Sequence, residues 1–345
     1  MRKRWLFSII TLILLSSLSA QAQVNFRDNS LVVDAIEGPA LSVHFIDVGQ
    51  GDAILVQAPT GETLLVDTGP RKKAANPLPY LREVGIERID HLLISHSHLD
   101  HTGGFQRIAK ALPIGEFWWA GYFHTTGTAK KLLAKIEEKK IPARVLKRGD
   151  ELTLGPDVKI TVLNPPETMR PVDHDINNYS VVIRVSYGDI DFILTGDAEI
   201  KAERMILSSG LPIESEFLKI GHHGSETAST LAFLKSVKPG FGVISCGRNN
   251  KYNHPHSATL EHLTEANVAI LRTDELGTIV VRTDGKKVSI NLKGQRVTRA
   301  QLRRAGSLTH LIIGIGRRED DEAIESLHRL AGRVPAVERR LGRAA

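Results

Sequence analysis

In the stretch His91-Leu92-Leu93-Ile94-Ser95-His96-Ser97-His98-Leu99-Asp100-His101-Thr102-Gly103-Gly104, an apolar run gives way to three imidazoles and a carboxylate within six residues. A helical pattern follows at once, so a buried strand hands over a short loop whose side chains have few places to go. Imidazole nitrogen and carboxylate oxygen are the donors a borderline metal such as zinc takes, and one such loop can give two ligands to each of two ions. A solvated turn that happens to be rich in histidine is the plain alternative. The spacing, set between a buried run and Gly-Gly, argues against it.

Short β-branched runs precede the loop at Leu41 to Asp47, Asp52 to Gln57 and Thr63 to Asp67, with turn-rich pieces such as Gly49-Gln50-Gly51 and Pro59-Thr60-Gly61 between them. Helical patterns then recur at Thr102 to Ala111, Ala129 to Lys139, Glu199 to Ser208, Ser229 to Val237 and Ser257 to Ala266, separated by strand-like stretches. Strands and helices alternating in two successive halves imply an α/β chain with two sheets packed face to face and helices outside, a four-layer αββα sandwich. Thr278 to Arg282 and Lys287 to Leu292 read as a closing hairpin across Asp284-Gly285. Beyond Lys293 lysine disappears and arginine takes over, which places a boundary near residue 295.

The expected organisation is therefore a signal peptide at 1–22, a catalytic domain at 23–294 and an Arg-rich helical tail at 295–345. Arg2, Lys3 and Arg4 precede an apolar run from Trp5 to about Leu18, and Ser19-Ala20-Gln21-Ala22 offers a small-x-small cleavage site. The run is shorter than the roughly 18 residues a membrane span needs, so export with cleavage after Ala22 is expected, an uncleaved anchor being the alternative. The formal net charge of +6 misleads. The signal holds three of the cations and the tail carries +5, so residues 23–294 come to −2. Electrostatic capture of polyanions would have to come from local patches or from the tail. Cys246, the single cysteine, excludes an internal disulfide and reads as a buried strand residue.

The histidine loop resembles that of the metallo-β-lactamase superfamily, and the resemblance runs through roughly residues 41 to 292. It implies that His96 and His98 hold one metal and Asp100 and His101 a second. It also implies that Asp67, in Leu64-Leu65-Val66-Asp67-Thr68-Gly69, supports the site, and that Asp197, in Thr195-Gly196-Asp197, bridges both ions. Asp47-Val48-Gly49-Gln50-Gly51-Asp52, Asn177-Asn178 and Gly221-His222-His223-Gly224-Ser225 narrow it further, to the hydrolase domain of the ComEC competence proteins and relatives that include phosphocholine esterases. One departure stands out. Most of the superfamily has a further histidine for the first metal upstream of the bridging aspartate, where this chain reads Asp173-His174-Asp175-Ile176-Asn177-Asn178. His174 is expected to be a surface histidine and Asn178 a supporting residue. The first metal would then be weaker, or completed by water or another side chain.

His223 and His254 both match conspicuous family positions, one to close the second metal and the other to face substrate, with the choice open. His222 and His256 read as neighbours of the site or as plain exposed residues. Two divalent ions are the expected cofactors, zinc first and manganese second. They would activate a water against a phosphorus or carbonyl centre, with Asp100 in the catalytic machinery and His222 or His254 protonating the leaving group. Ser225 and a helix starting near Thr227 to Ser229 would add backbone donors for a phosphate. A phosphodiester, including nucleic acid, is the substrate class expected. A lactone or β-lactam hydrolase and a non-catalytic DNA-binding accessory are the alternatives. In the tail, Leu308 to Gly316 has a faint helix-hairpin-helix look, and a plain helical appendage is the preferred reading.

Overall fold

The computed structural model describes residues 36–170 and 173–292. The expected signal peptide and Arg-rich tail lie outside the described residues. The chain opens with β1 (Leu41–Phe45), β2 (Ile54–Gln57) and β3 (Thr63–Val66), followed by helix α1 (Leu78–Glu83) and β4 (Ile89–Leu93). Helices α2 (Leu99–Thr102) and α3 (Phe105–Ala111) lead to β5 (Ile114–Trp119), α4 (Gly127–Glu138) and β6 (Ala143–Val145). A second half runs through β7 (Glu151–Leu154), β8 (Val158–Asn164), β9 (Val182–Tyr187), β10 (Ile190–Leu194) and α5 (Ile200–Leu207). It continues with β11 (Phe217–Lys219), α6 (Leu231–Val237), β12 (Phe241–Ile244), α7 (Ser257–Glu265), β13 (Ala269–Arg272) and α8 (Thr273–Leu276). The hairpin of β14 (Ile279–Thr283) and β15 (Val288–Leu292) returns to the first sheet.

Eight strands order as β15-β14-β1-β2-β3-β4-β5-β6 and seven as β13-β12-β11-β10-β9-β8-β7. The two-residue period of the strands sorts their side chains between layers. Leu64 and Val66 of β3, with Phe192 and Leu194 of β10, enter the core between the sheets, where Phe192, Phe217 and Phe241 stack at ring separations of 4.8 and 5.1 Å. Leu65 and Leu92 point the other way and pack under Leu81, Phe105, Ile108 and Leu132 of α1, α3 and α4. Ile193 and Leu218 do the same under Ala202, Ile206, Phe233, Leu234 and Leu263 of α5, α6 and α7. The result is the four-layer αββα sandwich expected.

In both sheets the strands nearest the site run parallel: β3 to β6 in one, β10 to β13 in the other. Parallel pairing gathers the carboxyl ends of successive strands at one edge, where α/β folds place their ligands. Three local expectations need correction. The helix expected over Thr102 to Ala111 is two pieces, because the Gly104 amide donates to the Gly69 carbonyl at 3.0 Å instead of back into the preceding turn, and only a residue without Cβ can lie that close to the Thr68 carbonyl. The helix expected from Ser229 starts at Leu231, because Ser229 has φ 55° and Thr230 is the cap, its hydroxyl accepting from the Phe233 amide at 3.3 Å. Cys246 is buried but lies beyond the end of β12, its thiol donating to Asp274 Oδ1 at 3.2 Å.

Candidate metal centre

Most side chains of the centre leave the carboxyl end of a strand. Asp67 follows β3, His96 and His98 follow β4, Asp197 follows β10 and His223 follows β11, while Asp100 and His101 ride on the short helix α2. Asp67 anchors the loop. Its Oδ1 accepts from the Ser95 amide at 2.8 Å, and its Oδ2 accepts from the Ser95 hydroxyl and from His101 Nδ1, both at 2.7 Å. With Nδ1 so engaged, His101 turns Nε2 to within 3.2 Å of Asp197 Oδ2. His96 does likewise: Nδ1 lies 3.1 Å from Ser95 Oγ, while Nε2 lies 3.0 Å from His98 Nδ1 and 3.7 Å from Asp197 Oδ2.

Two groups of donor atoms result, joined at Asp197. His96, His98 and Asp197 form one, and Asp100, His101, Asp197 and His223 the other. His223 Nε2 is 3.4 Å from both Asp100 Oδ2 and Asp197 Oδ1. A tetrahedral zinc ion with ligands at ~2.0–2.1 Å separates its donors by about 3.3 Å, which these spacings bracket. The atoms are also orphaned: His101 Nε2, His223 Nε2 and Asp197 Oδ1 are buried with no hydrogen-bond partner. Buried polar atoms are nearly always paired, so donors left in this way, and facing one another, fit a bound cation. A third group, Asp52, Asp67 and His101, needs none, because Lys219 already supplies the charge there.

The electrostatics agree. Burial alone would depress His223, yet the nearby Asp197, Asp52 and Asp100 carboxylates carry it up to about 10. Burial likewise opposes the charged form of His101, and Asp197, Asp67 and Asp100 override it and push it well above the ordinary imidazole value. The carboxylates thus call for positive charge at the second group. His96 is held well below its usual value by burial and by the His101 charge, which keeps its lone pair available.

The structure separates the two histidines that the sequence left unranked. His223 stands in the second donor group, its Nδ1 donating to the Ser245 carbonyl at 2.9 Å. His254 stands in neither group. Its ring is 5.5 Å from that of His222 and 6.4 Å from that of His223, and its Nδ1 faces the Gln50 amide at 3.5 Å. Burial and the charges of His222, His223 and His256 lower it to about 4. His222 donates Nδ1–H to Glu199 Oε1 at 2.9 Å and holds Nε2 3.7 Å from Asp197 Oδ2. His256 braces its own loop, with Nδ1 accepting from the Glu226 amide and Nε2 donating to the Tyr252 carbonyl, and His174 is exposed.

Two supporting roles change. Asn178 is not among the residues lining the cavity and ties down the start of α5, its Oδ1 accepting from the Ala202 amide at 2.9 Å, whereas Asn177 lines the cavity over the donor groups. Ser225 has no donor to offer a phosphate. Its amide donates to the His222 carbonyl, and its hydroxyl pairs with Thr227, because the turn closes on itself before α6 begins.

Three residues escaped sequence reasoning. Glu199 Oε1 also accepts from the Thr227 hydroxyl at 2.8 Å, so the carboxylate oxygen that holds His222 Nδ1 is itself held in place. Asp52 and Lys219 form a fully buried ion pair at 2.8 Å behind His223, and Lys219 donates as well to the Gly196 carbonyl at 2.9 Å. Asp52 Oδ1 lies 3.5 Å from His223 Nδ1. The signal for Asp52 was its place in the Gly49 to Asp52 motif, and a lysine inside the apolar run Phe217 to Ile220 could have marked Lys219.

A cavity of about 420 Å³ opens over both donor groups, lined by Gln50, His98, Asn177, His222, Tyr252 and His254 among others. A four-layer αββα sandwich with such donors at one edge of both sheets defines a class, the metal-dependent hydrolases of this fold. The family described as the metallo-β-lactamase superfamily matches residues 46–248, and the chain belongs to it. ComE operon protein 3 of Bacillus subtilis (strain 168) is 32% identical over 257 residues, 70% of this chain and 33% of that protein. Competence protein ComA of Neisseria gonorrhoeae is 31% identical over 248 residues, 71% of this chain and 33% of that protein. The chain therefore spans about a third of the length of these curated relatives. Among solved structures, CmlA, a diiron β-hydroxylase from Streptomyces venezuelae, matches with a TM-score of 0.47 and 13% identity, over 71% of this chain and 54% of that one.

Proposed function

We propose that the protein is an exported two-metal hydrolase of phosphodiester bonds, with His96, His98 and Asp197 holding one ion and Asp100, His101, Asp197 and His223 the other. The observation that carries this reading is the pair of donor groups sharing one carboxylate beneath an open polar cavity. Zinc is the first candidate by donor chemistry, and manganese the second. Two such ions when bound lower the pKa of a shared water and balance charge on the non-bridging oxygens of a phosphodiester.

The chain's own residues supply the rest. His222, with Nδ1 held by Glu199, presents Nε2 to the cavity and is placed to give a proton to the leaving oxygen. His254, neutral at about pH 7 with its value near 4, binds rather than protonates: if Gln50 donates to Nδ1, Nε2–H is left as a donor to substrate. Leu99 and Tyr252 line the same cavity although both are large, apolar and exposed, and Lys251 Nζ lies 4.8 Å from the Tyr252 ring centroid. An exposed ring beside a cation favours a phosphodiester that carries an aromatic group able to stack on it. Single-stranded and duplex DNA are the nucleic-acid substrates to try first.

The test sets bis(p-nitrophenyl) phosphate and DNA beside nitrocefin, each with and without chelator. Chelator-sensitive turnover of a phosphodiester is expected, and turnover of nitrocefin alone would overturn the reading. Export rests on the sequence at Arg2 to Ala22. Among the described residues no helix is long and apolar enough to cross a membrane. Mass spectrometry of protein recovered outside the cytoplasm should find a mature terminus at Gln23, and a chain retained uncleaved in membranes would refute export.

A further inference from the structure

We propose that the amide oxygen of Asn177 completes the donor group of His96, His98 and Asp197, an assignment that rests on the two-ion reading above. Structural and catalytic zinc is most often four-coordinate. The second group offers four protein donors and the first only three. Among the described residues no further imidazole joins that group: His174 is exposed, and His222, although its Nε2 is 3.7 Å from Asp197 Oδ2, stands outside it.

Asn177 has the right place and the right unfilled atom. It sits in the 3-10 turn Asp173–Tyr179 and lines the same cavity as His98, Asp197 and His222. Its Nδ2 donates to Glu199 Oε1 at 3.3 Å, which decides which end of the amide faces that carboxylate. Oδ1 is left buried without any hydrogen-bond partner. An acceptor stranded in this way is destabilising unless something else satisfies it. The neighbouring Asn178 has no such atom to spare, its Nδ2 facing Asp175 and Glu199 and its Oδ1 accepting from Ala202. Asn177 Oδ1 therefore shares the signature of His101 Nε2, His223 Nε2 and Asp197 Oδ1, the donors of the second group.

An amide oxygen is a poorer partner for zinc than an imidazole, so the first group binds its ion more weakly than the second. The full chain, stripped with chelator, is titrated with zinc by calorimetry, and bound zinc is counted by elemental mass spectrometry after desalting. The parent takes two ions in two steps. Asn177→Ala weakens the looser step by roughly tenfold or more and leaves the tighter one in place, while Asn177→His tightens the looser step by a similar factor. A gain of affinity cannot come from a damaged fold, so the histidine variant keeps the test decisive. Two unchanged steps in Asn177→Ala would overturn the assignment and leave the two-ion reading standing, as would a loss in Asn177→Ala with no gain in Asn177→His. A parent that binds fewer than two ions would overturn both.

Discussion

At the residue scale the centre shows how little of its chemistry lies in the ligands alone. Asp67 and Ser95 orient His101 and His96, and Glu199 and Thr227 orient His222. Glu199→Ala should free the His222 ring and lower kcat by roughly a hundredfold with KM little changed, whereas Glu199→Gln, which still accepts at one oxygen, should lose less; steady-state kinetics on the phosphodiester decides. The Asp52–Lys219 pair behind His223 is fully buried, and its removal has a different signature. Lys219→Met strands a buried carboxylate and should cost about 3–5 kcal/mol of stability in urea unfolding, and a second change, Asp52→Leu, should return part of it. The candidate donors at 96 to 101 stand out in the sequence because they crowd into one loop. Glu199, Lys219 and the distinction between Asn177 and Asn178 do not, since an acid after a strand, a lysine in an apolar run and one of two adjacent amides carry no spacing of their own. The choice between His223 and His254 likewise waits on which loop folds inward.

At the element scale the period-two pattern fixed strands and layers well. It failed where a loop presses on a helix, as at Gly103-Gly104, or where a left-handed residue delays a helix start, as at Ser229. Gly51 shows the same limit. With φ 144° and a would-be Cβ only 2.4 Å from the Asp100 carbonyl oxygen, it lets the loop after β1 lie directly on α2, so Gly51→Ala should displace Asp100 and weaken the second ion more than it lowers stability, read by zinc titration beside thermal unfolding. Strand β1 also carries a buried base. His44, lowered to about 4 chiefly by burial and then by the Arg282 charge, stays neutral in the folded chain, with Nδ1 2.7 Å from the Tyr80 hydroxyl. The unfolded chain takes up that proton near pH 6.5, so stability falls as pH drops from 6.5 toward 4 and this contribution is complete below 4. At about 1.4 kcal/mol per unit, His44→Gln should make the acid loss shallower by about 3 kcal/mol, measured as unfolding free energy against pH.

Across the whole molecule the donors divide between the two sheets: His96, His98, Asp100 and His101 come from the first, Asp197 and His223 from the second. Bound ions would therefore hold the sheets together as well as serve the reaction. Chelation should lower the melting temperature by several degrees, since an ion present at a thousandfold over its dissociation constant contributes about 4 kcal/mol, and differential scanning calorimetry with and without zinc checks it. An unchanged melting temperature would deny the ions this clasping role. The divided donor set also orders events in time. A growing chain that has not yet produced residue 197 lacks the carboxylate common to both donor groups, so neither can close on an ion before part of the second sheet exists. Whichever compartment the chain finishes folding in, that compartment's supply of ions decides what the enzyme carries.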